Sequence, residues 1–250
     1  MVILVTNDDG YSWGLKLLLK IAKSIDKNSY AIIPNYQKSA VSKAITLHKP
    51  IRINKRENDI YEINGTPADC VNFAVFCSDF KKPDLVLSGI NWGDNTSIHS
   101  LYSSGTLAAC TEASLFGVKS LGFSLYKEAG EWKNKQKVWG SHSAISLQIK
   151  LIIKKLMPFL EKDLFFSINI NEKAAGKDIV FAIPQRNRFS IRIYKKMDPD
   201  GKPYFWIKGP ASKKEKNSDF DLLVKGKTVI TPIRISPVDM DAISKLKNLF

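Results

Sequence analysis

Apolar residues near the start of the chain form one short run, followed by a polar turn and a periodic segment. Val2–Val5 is entirely apolar and mostly β-branched, which is typical of a strand buried on both faces. The turn that follows contains Asp8 and Asp9 and closes at Gly10. Apolar residues then recur at helical spacing over about residues 12–24. The pattern predicts a strand, a turn and a helix, with two adjacent aspartates where the strand ends.

Short apolar runs continue to alternate with helical segments up to about residue 160. Strands are predicted at Tyr30–Pro34, Ile60–Ile63, Leu85–Leu87 and Val118–Leu125, with an irregular or edge strand at Ile45–Ile53. Helices are predicted after Thr66, after Ser104 and over Ser143–Leu160, and a polar surface loop over 130–140. This order predicts an α/β fold with a mostly parallel sheet and right-handed crossovers.

From about residue 161 the pattern becomes rich in strands. Strands are predicted at Leu164–Ile170, Ile179–Ile183, Phe189–Tyr194, Tyr204–Ile207 and Thr228–Ile233. Asp198-Pro199-Asp200-Gly201 is a strong turn signal that makes the third and fourth of these a hairpin. We therefore divide the chain into an α/β domain, 1–160, and a β-rich extension, 161–250, whose final segment packs back on the core. Protruding hairpins commonly pair with another subunit.

Polar residues that follow the predicted strands converge on one edge of the sheet, where ligands bind in open α/β folds. They are Asp8-Asp9, Ser39, Asn91 and Ser104-Gly105-Thr106. Adjacent carboxylates repel each other, and carboxylate, hydroxyl and amide oxygens together suit Mg²⁺ or Mn²⁺. A helix start beside them would offer backbone N–H groups to a phosphate. Each motif alone also has an ordinary explanation as a turn or a helix cap.

Composition narrows the class of protein. The chain has 250 residues, of which 44% are hydrophobic and 25% charged, as in ordinary globular domains. No apolar run approaches the roughly 20 residues of a membrane span, and the N-terminus lacks a signal-peptide pattern. The three cysteines lie in apolar helical patterns, which favours small buried side chains in a reducing cytoplasm over a disulfide framework or a zinc site.

The formal net charge of +14 would attract anions, including nucleotides and nucleic acid. Much of this charge comes from lysines scattered over predicted surfaces. No single stretch combines basic residues with stacking aromatics in the manner of a nucleic-acid module. We therefore favour solvated surface lysines over a dedicated nucleic-acid face.

Several ordered motifs resemble the SurE family of survival-protein nucleotidases over nearly the whole chain. The motifs are Val5-Thr6-Asn7-Asp8-Asp9-Gly10, Lys38-Ser39-Ala40, Ile45-Thr46, Asn64-Gly65-Thr66-Pro67-Ala68-Asp69-Cys70-Val71, Ser88-Gly89-Ile90-Asn91-Trp92-Gly93, Ser104-Gly105-Thr106 and, near the end, Gly226 with Ile230-Thr231-Pro232. The resemblance implies a Rossmann-like first part, a C-terminal hairpin exchanged between subunits, and homodimers or homotetramers. It also implies metal-dependent hydrolysis of nucleoside 5′-monophosphates, with 3′-monophosphates as further substrates.

By that resemblance Asp8, Asp9, Ser39 and Asn91 are the ligands of one divalent cation per subunit, Mg²⁺ or Mn²⁺. We expect Asp8 or Asp9 to orient or deprotonate a water molecule. We expect Asn7, Ser104, Gly105 and Thr106 to bind the phosphate or substrate, and Asn7 also to support the carboxylates as a donor. Trp92, Tyr36 and Tyr102 are candidates for an aromatic wall beside the base, although each also suits packing.

Three alternatives stay open at this point. One is a haloacid-dehalogenase-type phosphatase, which has two carboxylates two residues apart followed by Gly-Thr; here the pair is adjacent and precedes Gly10-Tyr11. Another is a basic nucleic-acid-binding protein without catalysis. The third is a nucleotidase that also trims short oligonucleotides or polyphosphate, helped by its positive charge.

Overall fold

The computed structural model describes residues 1–127, 142–174 and 178–246. Its strands in chain order are β1 Ile3–Thr6, β2 Tyr30–Pro34, β3 Ile53–Glu57, β4 Ile60–Ile63, β5 Leu85–Trp92, β6 Lys119–Tyr126, β7 Leu164–Asn171, β8 Ile179–Phe181, β9 Arg192–Met197, β10 Pro203–Lys208 and β11 Thr228–Arg234. Its α-helices are α1 Trp13–Ile25, α2 Pro67–Phe76, α3 Ile98–Ser103, α4 Gly105–Leu115, α5 His142–Leu156, α6 Asp219–Val224 and α7 Met240–Leu246. The predicted loop at 130–140 lies outside the described residues.

One nine-stranded sheet organises the fold, in the order β3-β4-β2-β1-β5-β6-β7-β11-β8. From β4 to β7 all neighbours are parallel, while β3 and β11 pair antiparallel with β4 and β7. Helices cover the sheet, and its central strands are buried. The predicted α/β fold with a mostly parallel sheet flanked by helices is confirmed.

The β1 strand fixes the position of the later site because it lies between β2 and β5 at the centre of the sheet. Its residues Ile3–Thr6 are fully buried, as the apolar run predicts. The helix that follows begins after Ser12, whose side chain accepts a hydrogen bond from the backbone N–H of Leu15. The carboxyl ends of β1, β2 and β5 therefore lie side by side.

Several elements differ from the prediction. The edge strand is Ile53–Glu57 rather than Ile45–Ile53, and most of it is polar and exposed, so its sequence carries no apolar alternation. The strand predicted at Phe189–Tyr194 is shifted to Arg192–Met197. The short helices α3, α6 and α7 were not predicted. Pro158 follows α5 in a short 3₁₀ turn, which ends the predicted 143–160 helix at Leu156.

The β9–β10 hairpin forms a separate two-stranded sheet joined by the predicted turn. The backbone N–H groups of Asp200 and Lys202 donate to Asp198 Oδ1 at 3.0 and 2.8 Å, which closes that turn. By contrast β7, β8 and β11, which also lie after residue 160, belong to the main sheet. The division into 1–160 and 161–250 stays a prediction.

Two of the cysteines, Cys70 and Cys110, are fully buried, and Cys77 is half-buried at the end of α2. None of the helices in the described ranges combines the length and apolarity that a bilayer crossing requires.

Candidate functional site

Asp8 and Asp9 occupy the turn directly after β1, at the carboxyl edge of the central sheet. Asp8 is buried, and the Thr106 hydroxyl donates to its Oδ1 atom at 2.6 Å. Its backbone carbonyl accepts from the N–H of Lys38 at 2.7 Å, which ties the turn to the loop after β2. Chain segments 98 residues apart thus hold one carboxylate in place.

Asp9 connects the turn to β5 and to the loop after β2. The backbone N–H of Trp92, at the end of β5, donates to Asp9 Oδ2 at 3.3 Å. The side-chain amide of Gln37 donates both to Asp9 Oδ1, at 3.3 Å, and to Ser39 Oγ, at 2.9 Å. Gln37 therefore links the second aspartate to the predicted hydroxyl ligand. We had not predicted a role for Gln37, although it lies beside the Lys38-Ser39-Ala40 motif.

Asn91 reaches the site through an irregular end of β5. The pairing of β5 with β6 shifts between Ser88 and Asn91, and Gly89 adopts a φ of +131° there. A Cβ atom on Gly89 would lie 2.3 Å from the carbonyl oxygen of Phe123, so this close approach requires glycine. The Asn91 amide nitrogen donates to Gly93 O at 2.8 Å, which leaves the amide oxygen as an acceptor for the crevice.

The start of α4 packs directly on Asp8. Ser104 caps the helix, its hydroxyl accepting from the N–H of Leu107. A Cβ atom on Gly105 would lie 2.8 Å from Asp8 Cβ, so the glycine permits this contact. Thr106 is fully buried and donates to Asp8. In this structure Thr106 therefore positions a carboxylate, whereas Ser104 lines the open crevice.

Asn7 differs from its predicted role as a donor to the carboxylates. Both of its amide hydrogens are used within the turn, because Nδ2 donates to Gly10 O at 2.8 Å and to Ser12 Oγ at 3.1 Å. Its Oδ1 atom is buried without a hydrogen-bond partner among the described residues. Asn7 thus braces the turn between β1 and α1 rather than the carboxylates.

A cavity of about 650 Å³ opens beside these residues, and Asp8, Ser39, Asn91 and Ser104 line it. Asp9 lines a smaller cavity of about 300 Å³, and Trp92 lies in the walls of both. The two exposed tyrosines proposed for a base wall, Tyr36 and Tyr102, do not line the larger cavity. The volume suits a ligand of nucleotide size.

The electrostatics of Asp8 favour a bound cation. Burial raises the pKa of this carboxyl to about 6, the Thr106 hydrogen bond opposes that rise, and the neighbouring charge of Asp9 adds to it. No basic side chain among the described residues forms an ion pair with Asp8. No group of three His, Cys, Asp or Glu side chains suited to a metal occurs in the described ranges, so a cation here would need the hydroxyl and amide oxygens as well.

Two ion pairs that involve residues of the larger cavity were not predicted from the sequence. Arg188 pairs with Asp94 at 3.0 Å, and Lys127 pairs with Glu172 at 3.0 Å. Lys127 Nζ also lies 4.1 Å from the centroid of the Trp92 ring. Asp94 stands three residues after Asn91, and that proximity was the only signal available; the partners come from distant segments.

Comparisons with known proteins find similar chains over nearly the whole sequence. The family model described as "Survival protein SurE" matches residues 3–190. A 5′-nucleotidase SurE of Thermofilum pendens is 36% identical, over 94% of this chain and 91% of the relative. One of Campylobacter jejuni is 37% identical, over 98% of this chain and 96% of the relative.

A solved structure is similar to this chain over its whole length. The crystal structure of the Sure protein from Aquifex aeolicus superposes with a TM-score of 0.81 at 28% identity, covering 100% of this chain and 99% of that one. The matched region of the family model contains the aspartate pair and the motifs around Ser39, Asn91 and Ser104.

Proposed function

This chain belongs to the SurE family, and from that premise we propose that it is a 5′-nucleotidase. It hydrolyses nucleoside 5′-monophosphates to nucleoside and phosphate, with 3′-monophosphates as further substrates. The observation that carries the proposal is the crevice itself. Asp8, Ser39 and Asn91, from three separate chain segments, line one cavity of nucleotide size beside Asp9.

We propose Asp8, Asp9, Ser39 and Asn91 as the residues that would hold one divalent cation per subunit, Mg²⁺ or Mn²⁺. Their donor atoms are all oxygens, the type these hard cations prefer. Asp8 has no cationic partner among the described residues, so its carboxylate has capacity for such an interaction. The chemistry such a cation supplies is Lewis-acid polarisation of the phosphoryl group.

The residues of the chain supply the remaining chemistry. Asp8 or Asp9 orients the attacking water and accepts its proton. The Thr106 hydroxyl keeps the Asp8 carboxylate in one orientation, because both groups are buried. Ser104 and the backbone at Gly105, at the positive end of α4, bind the phosphoryl oxygens. Asn7 contributes by bracing the turn that holds both aspartates.

We also propose a cytoplasmic homodimer or homotetramer, assembled through the C-terminal region. The support is the β9–β10 hairpin, whose two strands carry large apolar side chains and are exposed along their whole length. Such surfaces on an isolated hairpin mark interaction sites.

The test is phosphate release from a panel of nucleoside monophosphates by metal-stripped protein, with and without Mn²⁺ or Mg²⁺. Asp8→Asn and Asp9→Asn should each lower kcat by at least about 100-fold, since each removes a charged group at the reacting centre. Asp79→Asn is the matched control, because Asp79 is exposed and lines neither of the two cavities.

Near-normal metal-dependent hydrolysis in either site variant would contradict the assignment. A covalent aspartyl-phosphate trapped by mass spectrometry would favour the haloacid-dehalogenase alternative instead. Salt-sensitive RNA binding with no phosphate release in any metal would favour the nucleic-acid-binding alternative. Release from short oligonucleotides or polyphosphate in the same panel would extend the substrate range.

A further inference from the structure

Arg188 has an unused donor in the wall of the larger cavity. Its Nε atom donates to Asp94 Oδ1 at 3.0 Å, and its Nη2 atom donates to Asp94 Oδ2 at 3.3 Å. The Nη1 atom is buried and has no hydrogen-bond partner among the described residues. A buried guanidinium N–H without an acceptor is costly, so its retention in a ligand cavity indicates a ligand acceptor.

Packing fixes the orientation of this guanidinium. The Arg188 side chain is 11% exposed, and its Cζ atom lies 3.6 Å from the centroid of the Phe220 ring and 4.5 Å from that of Phe189. Both rings also line the cavity. Since Asp94 occupies one edge of the guanidinium and the rings pack against it, Nη1 is a preorganised donor.

Charge decides what kind of acceptor fits. Asp94 neutralises Arg188, and Glu172 neutralises Lys127, the other buried cation among the described residues of this wall. Within the described part of the chain, this side of the cavity therefore offers directed donors whose charges are paired. An uncharged acceptor suits it better than a second phosphate does.

Position decides which part of a nucleotide reaches Arg188. Asp94 follows Asn91 by three residues, so the two side chains spring from backbone positions at most about 10 Å apart. Asp8, Asn91 and Arg188 also line one cavity, so a nucleotide whose phosphate lies beside Asp8 can extend its base toward Arg188.

We propose that Arg188 is a specificity-determining residue whose Nη1 donates to a carbonyl oxygen of the nucleobase. This inference rests on the proposed nucleotidase function and adds the part of the site that distinguishes bases. Guanine, hypoxanthine and uracil carry such carbonyls, whereas adenine carries none. The contact favours oxo-bases over adenine and is absent for a substrate without a base.

The test compares Arg188→Lys with the wild-type protein on GMP, AMP and ribose 5-phosphate. Lysine keeps the positive charge opposite Asp94 but removes the Nη1 donor. We expect kcat/KM for GMP to fall about 10-fold to 100-fold, the range for a lost charged hydrogen bond. We expect a smaller fall for AMP and less than about a twofold change for ribose 5-phosphate. Arg186→Lys, at an exposed arginine two residues away, is the matched control.

Inhibition of ribose 5-phosphate cleavage by free guanosine provides a second readout, which depends on the base alone. Its inhibition constant should rise about 10-fold in Arg188→Lys. Equal losses on GMP, AMP and ribose 5-phosphate, or no loss on GMP, would overturn the inference. If the wild-type protein releases phosphate from no nucleoside monophosphate in any metal, the proposed function itself fails, which is a different result from an active enzyme indifferent to Arg188.

Discussion

Asp8 is a buried acidic residue at the centre of the proposed site. Its carboxyl is almost fully buried, lies next to a second carboxylate, and receives a hydrogen bond from Thr106. Such an arrangement stabilises the fold poorly and suits ligand binding well, because a buried carboxylate needs a counter-charge. Its consequence for stability is measurable in the absence of metal.

The first prediction concerns metal-free protein. Burial raises the pKa of Asp8 to about 6 from its ordinary value of 3.8, so the folded state binds more protons than the unfolded state between these values. The free energy of unfolding therefore falls as Asp8 ionises between about pH 4 and pH 6. Above pH 6 the contribution of Asp8 changes no further. Asp8→Asn should raise the free energy of unfolding by about 3 kcal/mol at pH 8 and have little effect at pH 4.

Urea unfolding in EDTA at the two pH values measures this difference, and Asp79→Asn should show none at either pH. Added Mn²⁺ should then stabilise the wild-type protein more than Asp8→Asn. A variant less stable than the wild type at pH 8 in EDTA would mean that Asp8 is held by favourable contacts rather than by a ligand.

Among single residues, those in local motifs after a strand could be predicted from the sequence. Residues whose partners lie far apart in the chain could not. Asp8, Asp9, Ser39 and Asn91 each follow a readable apolar strand, so topology alone places them on one edge. Gln37 and Arg188 gave no such signal, because their partners depend on loop geometry and on segments far apart in sequence. The sequence also did not reveal that the Asn7 amide donates to two acceptors within its own turn.

At the scale of elements, the contact between α1 and β5 sets the position of Asn91. Gly14 lies in the first turn of α1, where a Cβ atom would be 2.3 Å from the carbonyl oxygen of Ile90. The helix therefore rests directly on the backbone that precedes Asn91. Glycine is needed here for closeness, not for an unusual backbone conformation.

Gly14→Ala should push α1 away from the end of β5. Overpacking costs about 1–3 kcal/mol, which outweighs the roughly 1 kcal/mol that alanine gains in helix propensity. We expect a net loss of about 1–2 kcal/mol in the free energy of unfolding, and a fall of about 10-fold or more in kcat/KM because Asn91 shifts.

Urea unfolding and nucleotidase kinetics check this, with Lys20→Ala as the control at an exposed position of the same helix. That control should change the free energy of unfolding by less than about 0.5 kcal/mol. A stabilised Gly14→Ala with normal kinetics would show that the helix does not support Asn91.

Elements with strong periodicity were predictable, and polar or short ones were not. The buried strands β1 and β2 were placed to within a residue, since both faces are apolar. By contrast β3 contains Asn54, Lys55, Arg56 and Glu57, so its pairing with β4 decides its structure rather than its composition. The helices α3 and α6 have six residues each, too few for a periodic signal.

At the scale of the whole molecule, the β9–β10 hairpin exposes apolar side chains that nothing in its own subunit covers among the described residues. Ile193 and Ile207 lie opposite each other and are 68% and 73% exposed. Since directly paired residues share a face, Phe205 and Met197 lie on that side too. The opposite face carries Tyr194 and Trp206. A lone two-stranded hairpin is marginally stable in water, so a partner surface is expected.

Ile193→Glu combined with Ile207→Glu should dissociate the proposed oligomer, because two charges would enter an apolar contact. Sedimentation velocity should show a shift to smaller species, and Lys202→Glu, at the exposed turn of the hairpin, should not. An unchanged sedimentation coefficient in the double variant would place the interface elsewhere.

The roots of this hairpin have a further consequence. Its first strand departs just after Phe189 and its second returns through Gly209 to Ala211, and these three residues form part of the wall that contains Arg188. A partner subunit bound to the hairpin would therefore act on residues that line the pocket. We therefore expect a change in the proposed assembly to alter the pocket lining beside Arg188.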